Sequence, residues 1–206
     1  MYLEFARYRL TAEEIRKLLE TCAEHRRLLY QTAFCTGLRA GELRSLRIKD
    51  LDVERGGLVL DPAWTKNLKP GFQPLPKALL ARLAEAAVAR LAEQTYEYLT
   101  RRSDHPPPVD PLLYVPSHPG RDLQCDLESA GIPKTTAEGK LDFHACRVAY
   151  ITHLVESGAD VKTIQELARH SDPRITLAIY AKARKERLAN AAELVGRAVL
   201  AERTAS

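Results

Sequence analysis

Apolar positions along this chain follow two periods. Over most of its length they recur every three or four residues, the spacing of helices with one buried face, and near residue 50 they alternate instead. Thr11-Ala-Glu-Glu14 reads as a capping box that opens a helix reaching residue 20. A second helix is expected over 23–36 and stops at Gly37, a residue suited to the left-handed turn that ends helices. A short third follows over 40–46. Then the pattern changes: 51–53, a Gly56-Gly57 turn and 58–60 predict a β-hairpin, and a turn at 66–71 leads to a third strand over 72–75. Pro76 suits the first turn of an alanine-rich helix running to about residue 102.

Six of the twelve prolines fall between Pro106 and Pro119, which predicts a surface loop there. Helical spacing then resumes over 120–130, 142–157 and 161–169, the last with Asp160 as its N-cap. Ser171-Asp172-Pro173 starts another helix through 183, and a final one is expected over 185–201. The fold class that results is mainly α with a small three-stranded antiparallel β-sheet.

Composition narrows the class further. A chain of 206 residues suggests one domain, or one domain with a short arm, and it can bury a core without disulfides or metal. Its longest stretch without a charged side chain, 28–38, is too short to cross a bilayer, and the first ten residues lack the apolar core of a secretory signal. Cys22, Cys35, Cys125 and Cys146 form no CxxC pair, so no metal site is expected and a reduced, intracellular protein is. The net charge of +4 permits nucleic-acid binding without demanding it. Its distribution says more. Arg174, Lys182, Arg184, Lys185 and Arg187 stand against Glu186 alone, and Arg39, Arg44, Arg47 and Lys49 face only Glu42 and Asp50. Either cluster taken singly reads equally well as a solvated helix face.

Several short motifs could carry chemistry. His144-Ala-Cys-Arg147 puts an imidazole and a guanidinium three residues apart, where both can reach one anion. In Leu167-Ala-Arg-His170-Ser-Asp-Pro173 a histidine lies between the end of one helix and the cap of the next, a register that a helix–turn–helix reader of DNA would also have. Tyr180 follows among aliphatic residues, where a tyrosine is commonly part of a core. Upstream, Thr36-Gly-Leu-Arg39-Ala-Gly-Glu42 sets an arginine at an inter-helix turn with a carboxylate three residues on. Lys66 and Lys69 occupy the turn before the third strand. Each motif is common by itself; their order and spacing are not.

Taken together, the series resembles the catalytic domain of tyrosine recombinases, the phage-type integrases and their chromosome-resolving relatives, from about residue 11 to 201. The resemblance implies that family's DNA breaking-rejoining fold, with 1–10 an N-terminal arm or linker remnant, 11–206 the catalytic domain, and the family's upstream core-binding domain absent. It places the two catalytic arginines at Arg39 and Arg147, the two histidines at His144 and His170, the hairpin lysine at Lys66 with Lys69 as second choice, and the nucleophile at Tyr180. Glu42 corresponds to an acid that supports the first arginine, and Arg44, Lys69, Arg174 and Lys182 are the expected DNA-binding residues. Val148 departs from the family, many of whose members carry a basic residue or histidine after the second arginine.

The implied reaction is strand cleavage by transesterification, leaving a 3′-phosphotyrosyl bond. The arginines would neutralise the non-bridging oxygens, His170 would add a hydrogen bond, His144 would take the phenol's proton, and Lys66 would protonate the leaving 5′-oxygen. No cofactor and no metal are required. Double-stranded DNA is the expected partner, with a tetramer on DNA joined through the C-terminal helix, a monomer or weak oligomer otherwise, and a cytoplasmic, nucleoid-associated location. Leu188, Ala192, Val195 and Val199 could equally cover the chain's own core. Two other functions stay open at this point: a type IB topoisomerase-like enzyme, and a non-catalytic helix–turn–helix reader using 161–183.

Overall fold

A computed structural model describes residues 10–64, 70–101, 110–136, 139–170 and 172–200. The chain divides into two compact units, Met1–Ile151 and Thr152–Ser206.

The first unit opens with α1 (Ala12–Thr21) and α2 (Glu24–Thr36), followed by the short α3 (Ala40–Ser45). The capping box forms as expected, with the Glu14 N–H donating to Thr11 Oγ1 at 3.2 Å and the Thr11 N–H to Glu14 Oε2 at 2.8 Å. Gly37 ends α2 at φ 61°. Strands β1 (Leu51–Asp52), β2 (Gly57–Leu60) and β3 (Gly71–Pro74) make one antiparallel sheet in that order. The register pairs Leu58 with Gln73 and Val59 with Phe72, so Leu58, Leu60 and Gln73 face inward while Val59 is exposed. A Cβ at Gly57 would overlap the Gln73 carbonyl and the Phe72 ring, so only glycine permits this approach of β2 to β3. The long α4 (Lys77–Arg101) follows Pro76, whose carbonyl accepts from the Leu80 N–H. Next come α5 (Pro119–Ser129) and a two-stranded ribbon of β4 (Thr135–Thr136) and β5 (Gly139–Lys140) that the spacing did not predict.

Leucines from every helix so far, among them Leu18, Leu29, Leu43, Leu83 and Leu127, build the core of this unit together with Leu58 and Leu60. Each such burial stabilises by about 1.5–3 kcal/mol. A polar tie crosses that core: Asp126 of α5 accepts from Arg26 Nε at 2.7 Å, Arg26 Nη2 at 2.8 Å and the Tyr30 hydroxyl at 2.6 Å. Burial, and then the hydrogen bond to Asp126, push the Tyr30 phenol well above its usual range, so it stays a neutral donor.

The proline-rich stretch corrects one expectation. Residues 102–109 lie outside the described part, but 110–118 is no mere surface loop: Leu112 and Leu113 are buried. Their backbone is held against the segment after α3, the Leu112 N–H donating to the Leu46 carbonyl at 3.0 Å and the Ile48 N–H to the Asp110 carbonyl at 3.2 Å. Prolines exclude a helix there without excluding the burial of two adjacent leucines.

Helix α6 (Ala145–Glu156) begins in the first unit and ends in the second. The second unit continues with α7 (Val161–Ala168), capped by Asp160, which accepts from the Lys162 and Thr163 N–H groups at 2.9 and 3.0 Å. A single α8 (Pro173–Leu200) replaces the two helices expected over 173–183 and 185–201. Nothing between them breaks a helix, since residues 182–189 hold neither glycine nor proline and are mostly strong helix formers. Leu188, Ala192 and Val195 are exposed on α8, and the side chain of Val199 lies outside the described residues. No helix among the described residues is long and apolar enough to cross a membrane.

Candidate active site

In the first unit the site is built on the turn between α2 and α3. Glu42, buried in the first turn of α3, reaches back to the residue before the helix: its Oε2 accepts the Arg39 N–H at 2.7 Å and its Oε1 accepts Arg39 Nη1 at 3.1 Å. One carboxylate therefore caps the helix and aims the guanidinium. The Arg39 side chain remains 36% exposed against 6% for Glu42, so the cation is presented to solvent from an anchored base. A pair of this exposure contributes little to stability, which makes direction its main effect.

Arg147 arrives from α6 and is only 3% exposed. Its Nη1 donates to the Gly37 carbonyl at 2.7 Å, a bond between residues 110 positions apart. Since Gly37 lies two residues before Arg39, this bond brings the two sequence-predicted arginines to one turn of the chain. Tyr150, one helical turn beyond Arg147, packs its ring where a Gly37 Cβ would sit and accepts a hydrogen bond from Gln73 Nε2 at 3.2 Å. Gly37 is thus required twice, by its positive φ and by the ring against it. His144 stands one residue before α6 with an exposed ring, and its carbonyl accepts the N–H groups of Arg147 and Val148 at 3.0 and 3.1 Å. The histidine and arginine three apart consequently differ in burial: one meets solvent, the other is packed.

The remaining lysines are less informative. Lys66 and Lys69 fall outside the described residues, and so does the side chain of Lys182. Arg44 is exposed, with Nη2 donating to the Pro116 carbonyl at 2.7 Å.

The second unit holds the other histidine and the tyrosine. Arg169 ends α7 at φ 51°, a left-handed conformation that costs a residue with a side chain about 1–2 kcal/mol. The turn it makes carries His170, whose N–H donates to the Gln165 carbonyl at 3.1 Å and whose own carbonyl accepts Gln165 Nε2 at 3.4 Å. The ring is fixed as well: His170 Nδ1 and the buried Thr176 Oγ1 are 2.9 Å apart. Asp172 and Arg174 form an exposed pair at 2.9 Å, and the hydrogen bonds from Arg174 hold the Asp172 carboxyl below its usual range. Tyr180 is half-buried on α8. The helix–turn–helix register expected here is present as α7, a short turn and α8.

Sequence reasoning missed Gln73, Tyr150 and Thr176. Gln73 had a legible signal, a polar residue at an inward position of an alternating strand. Thr176 had none beyond its place in the first turns of a helix.

Comparison with known proteins gives a uniform result. The phage integrase family profile matches residues 8–187. A tyrosine recombinase XerA of Thermococcus kodakarensis is 32% identical over 190 residues, covering 89% of this chain and 61% of that protein. A crystal structure of XerA recombinase superposes with a TM-score of 0.65 at 20% identity, over 89% of this chain and 63% of that one. The catalytic domain of bacteriophage HP1 integrase does so with a TM-score of 0.59 at 18% identity, over 91% and 95%. The chain spans about 60% of the length of the curated relatives it matches.

Proposed function

Because this chain belongs to the phage integrase family, we propose that it is the catalytic domain of a site-specific DNA recombinase, working through a 3′-phosphotyrosyl intermediate. The observation that carries the reading is the buried Arg147 bound to the Gly37 carbonyl, beside an Arg39 that Glu42 anchors and leaves partly open to solvent. Two guanidinium groups held in this way suit a phosphodiester, whose non-bridging oxygens gain charge as a nucleophile attacks.

In the proposed reaction the Tyr180 oxygen attacks phosphorus and the bond to the 5′-oxygen breaks. His144 takes the phenolic proton, and Lys66 protonates the departing oxygen. His170 donates a hydrogen bond to the same phosphate. The phosphotyrosine conserves the bond, so another 5′-hydroxyl can attack and reseal the strand without a nucleotide cofactor. Arg44, Lys69, Arg174 and Lys182 add contacts to duplex DNA, which makes binding fall with salt. Leu188 and Val195, exposed on α8, dock on a neighbouring protomer when several chains assemble on DNA. Recombination of this kind takes place on the chromosome or a mobile element in the cytoplasm.

A nicked duplex that traps the intermediate tests the proposal. The expected outcome is a covalent protein–DNA adduct on a denaturing gel, absent in Tyr180→Phe. DNA retention with no adduct from the unaltered chain would instead mark a non-catalytic reader, and relaxation of supercoils without strand exchange a topoisomerase. For the acid, Lys66→Ala should regain cleavage on a substrate with a 5′-bridging sulfur; rescue of Lys69→Ala alone would move the role there.

A further inference from the structure

Five described hydroxyls in the helices of the first unit share a habit. Thr21, Thr32, Thr36, Ser45 and Ser129 each donate to the carbonyl four residues earlier, at 2.6–3.0 Å. Thr176, in the first turns of α8, is fully buried and instead meets the Nδ1 of His170 at 2.9 Å. Its partner sits on a strained turn: Arg169 is the one described non-glycine residue with a positive φ, and both the N–H and the carbonyl of His170 are bonded to Gln165. Backbone strain and a buried hydroxyl thus fix one ring from two sides.

A neutral imidazole has one donor and one acceptor nitrogen, and the partner of one nitrogen sets the role of the other. We propose that Thr176 is a positioning residue for the reaction: its hydroxyl donates to Nδ1, holds the proton of His170 on Nε2, and so makes Nε2–H the donor to a phosphate oxygen. The proposal rests on the recombinase reading for its consequence and on the structure for its geometry. With the opposite tautomer the ring would present a lone pair to an anion, which repels instead of stabilising. Thr176 touches no reacting atom and acts through His170 alone.

Two measurements test this separately from the recombinase reading. Nitrogen-15 NMR of the imidazole, on the DNA-free chain at a pH where the ring is neutral, should show His170 as the Nε2–H tautomer in the unaltered protein and in Thr176→Ser. Thr176→Val should show a mixture. An Nδ1–H tautomer in the unaltered chain, or no change in Thr176→Val, overturns the proposal whether or not the chain cleaves DNA. In the adduct assay Thr176→Val should slow cleavage about five- to tenfold, the scale of one hydrogen bond, with Thr176→Ser close to the unaltered rate. In a His170→Ala background Thr176→Val should slow it no further. A full additional loss there means that the hydroxyl merely supports the helix, and the proposal fails. Absence of any adduct from the unaltered chain sinks the recombinase reading instead, and leaves the tautomer result to decide the geometry.

Discussion

The unit with Arg39 and Arg147 and the unit with Tyr180 hold their candidate site residues by different means. In the first, charge is packed into a leucine core: Glu42 is 5% and Arg147 3% exposed, and each has a named partner on the turn after α2. In the second, α8 carries Tyr180 along a helix whose Leu177, Leu188, Leu194 and Val195 are all more than half exposed. His170 there is fixed closely, by a strained turn and a hydroxyl. A group that must stabilise a developing charge gains from being held before the reaction starts, since no reorganisation is then needed. In the proposed reaction Tyr180 has to approach, be esterified and leave, and the exposure of Leu177, Leu188, Leu194 and Val195 along α8 suits that task.

The largest effect expected from breaking this contrast is on cleavage. Arg147→Ala removes a buried cation and the donor to the Gly37 carbonyl, and adduct formation should fall about 10²- to 10³-fold or more, as for other transition-state donors. Retention of cleavage within a fewfold would mean that the packed arginine is structural only. Leucine truncation sharpens the packing difference. Leu43→Ala, at a fully buried position of the first unit, should cost about 2–5 kcal/mol in urea unfolding, whereas Leu194→Ala on α8 should cost under about 0.5 kcal/mol. Equal losses would show that α8 is covered in solution. Gly37→Ala should destabilise by about 1–3 kcal/mol, through its positive φ and the Tyr150 ring, and should depress cleavage further by displacing the carbonyl that holds Arg147.

The smallest effect is electrostatic. Hydrogen bonds from the Thr163 hydroxyl and N–H groups hold the Asp160 carboxyl below its usual range. A folded-state value below the unfolded one stabilises above the unfolded pKa of about 4, and that stability is lost as pH falls through the folded value. Asp160→Asn keeps a competent N-cap, so thermal unfolding should differ little from the unaltered chain at pH 3 and be slightly earlier at pH 7. An equal shift at both values would assign the effect to the cap itself.

Much of the fold was legible because its determinants are local. Thr11 with Glu14, Gly37 after α2, and Asp160 before α7 act on groups at most four residues away, and each boundary lies within two residues of where the spacing put it. The break expected near residue 184 failed for the same reason: no local breaker is present, so α8 runs on. The β4–β5 ribbon was missed because strands of two residues leave no alternation to read. Motif order pointed to Arg39, Glu42, His144, Arg147, His170 and Tyr180 as a set, and spacing could say nothing of which would be buried.

By itself the sequence determined most of the helices, the three-stranded sheet and the family, through caps, periodicity and motifs that need only near neighbours along the chain. Tertiary structure alone decided that Leu112 and Leu113 enter the core, that Arg147 hides its charge against the carbonyl of Gly37, and that His170 faces the Thr176 hydroxyl. Burial and side-chain pairing depend on which surfaces meet after folding. Contacts between residues 110 positions apart leave no trace in a local pattern.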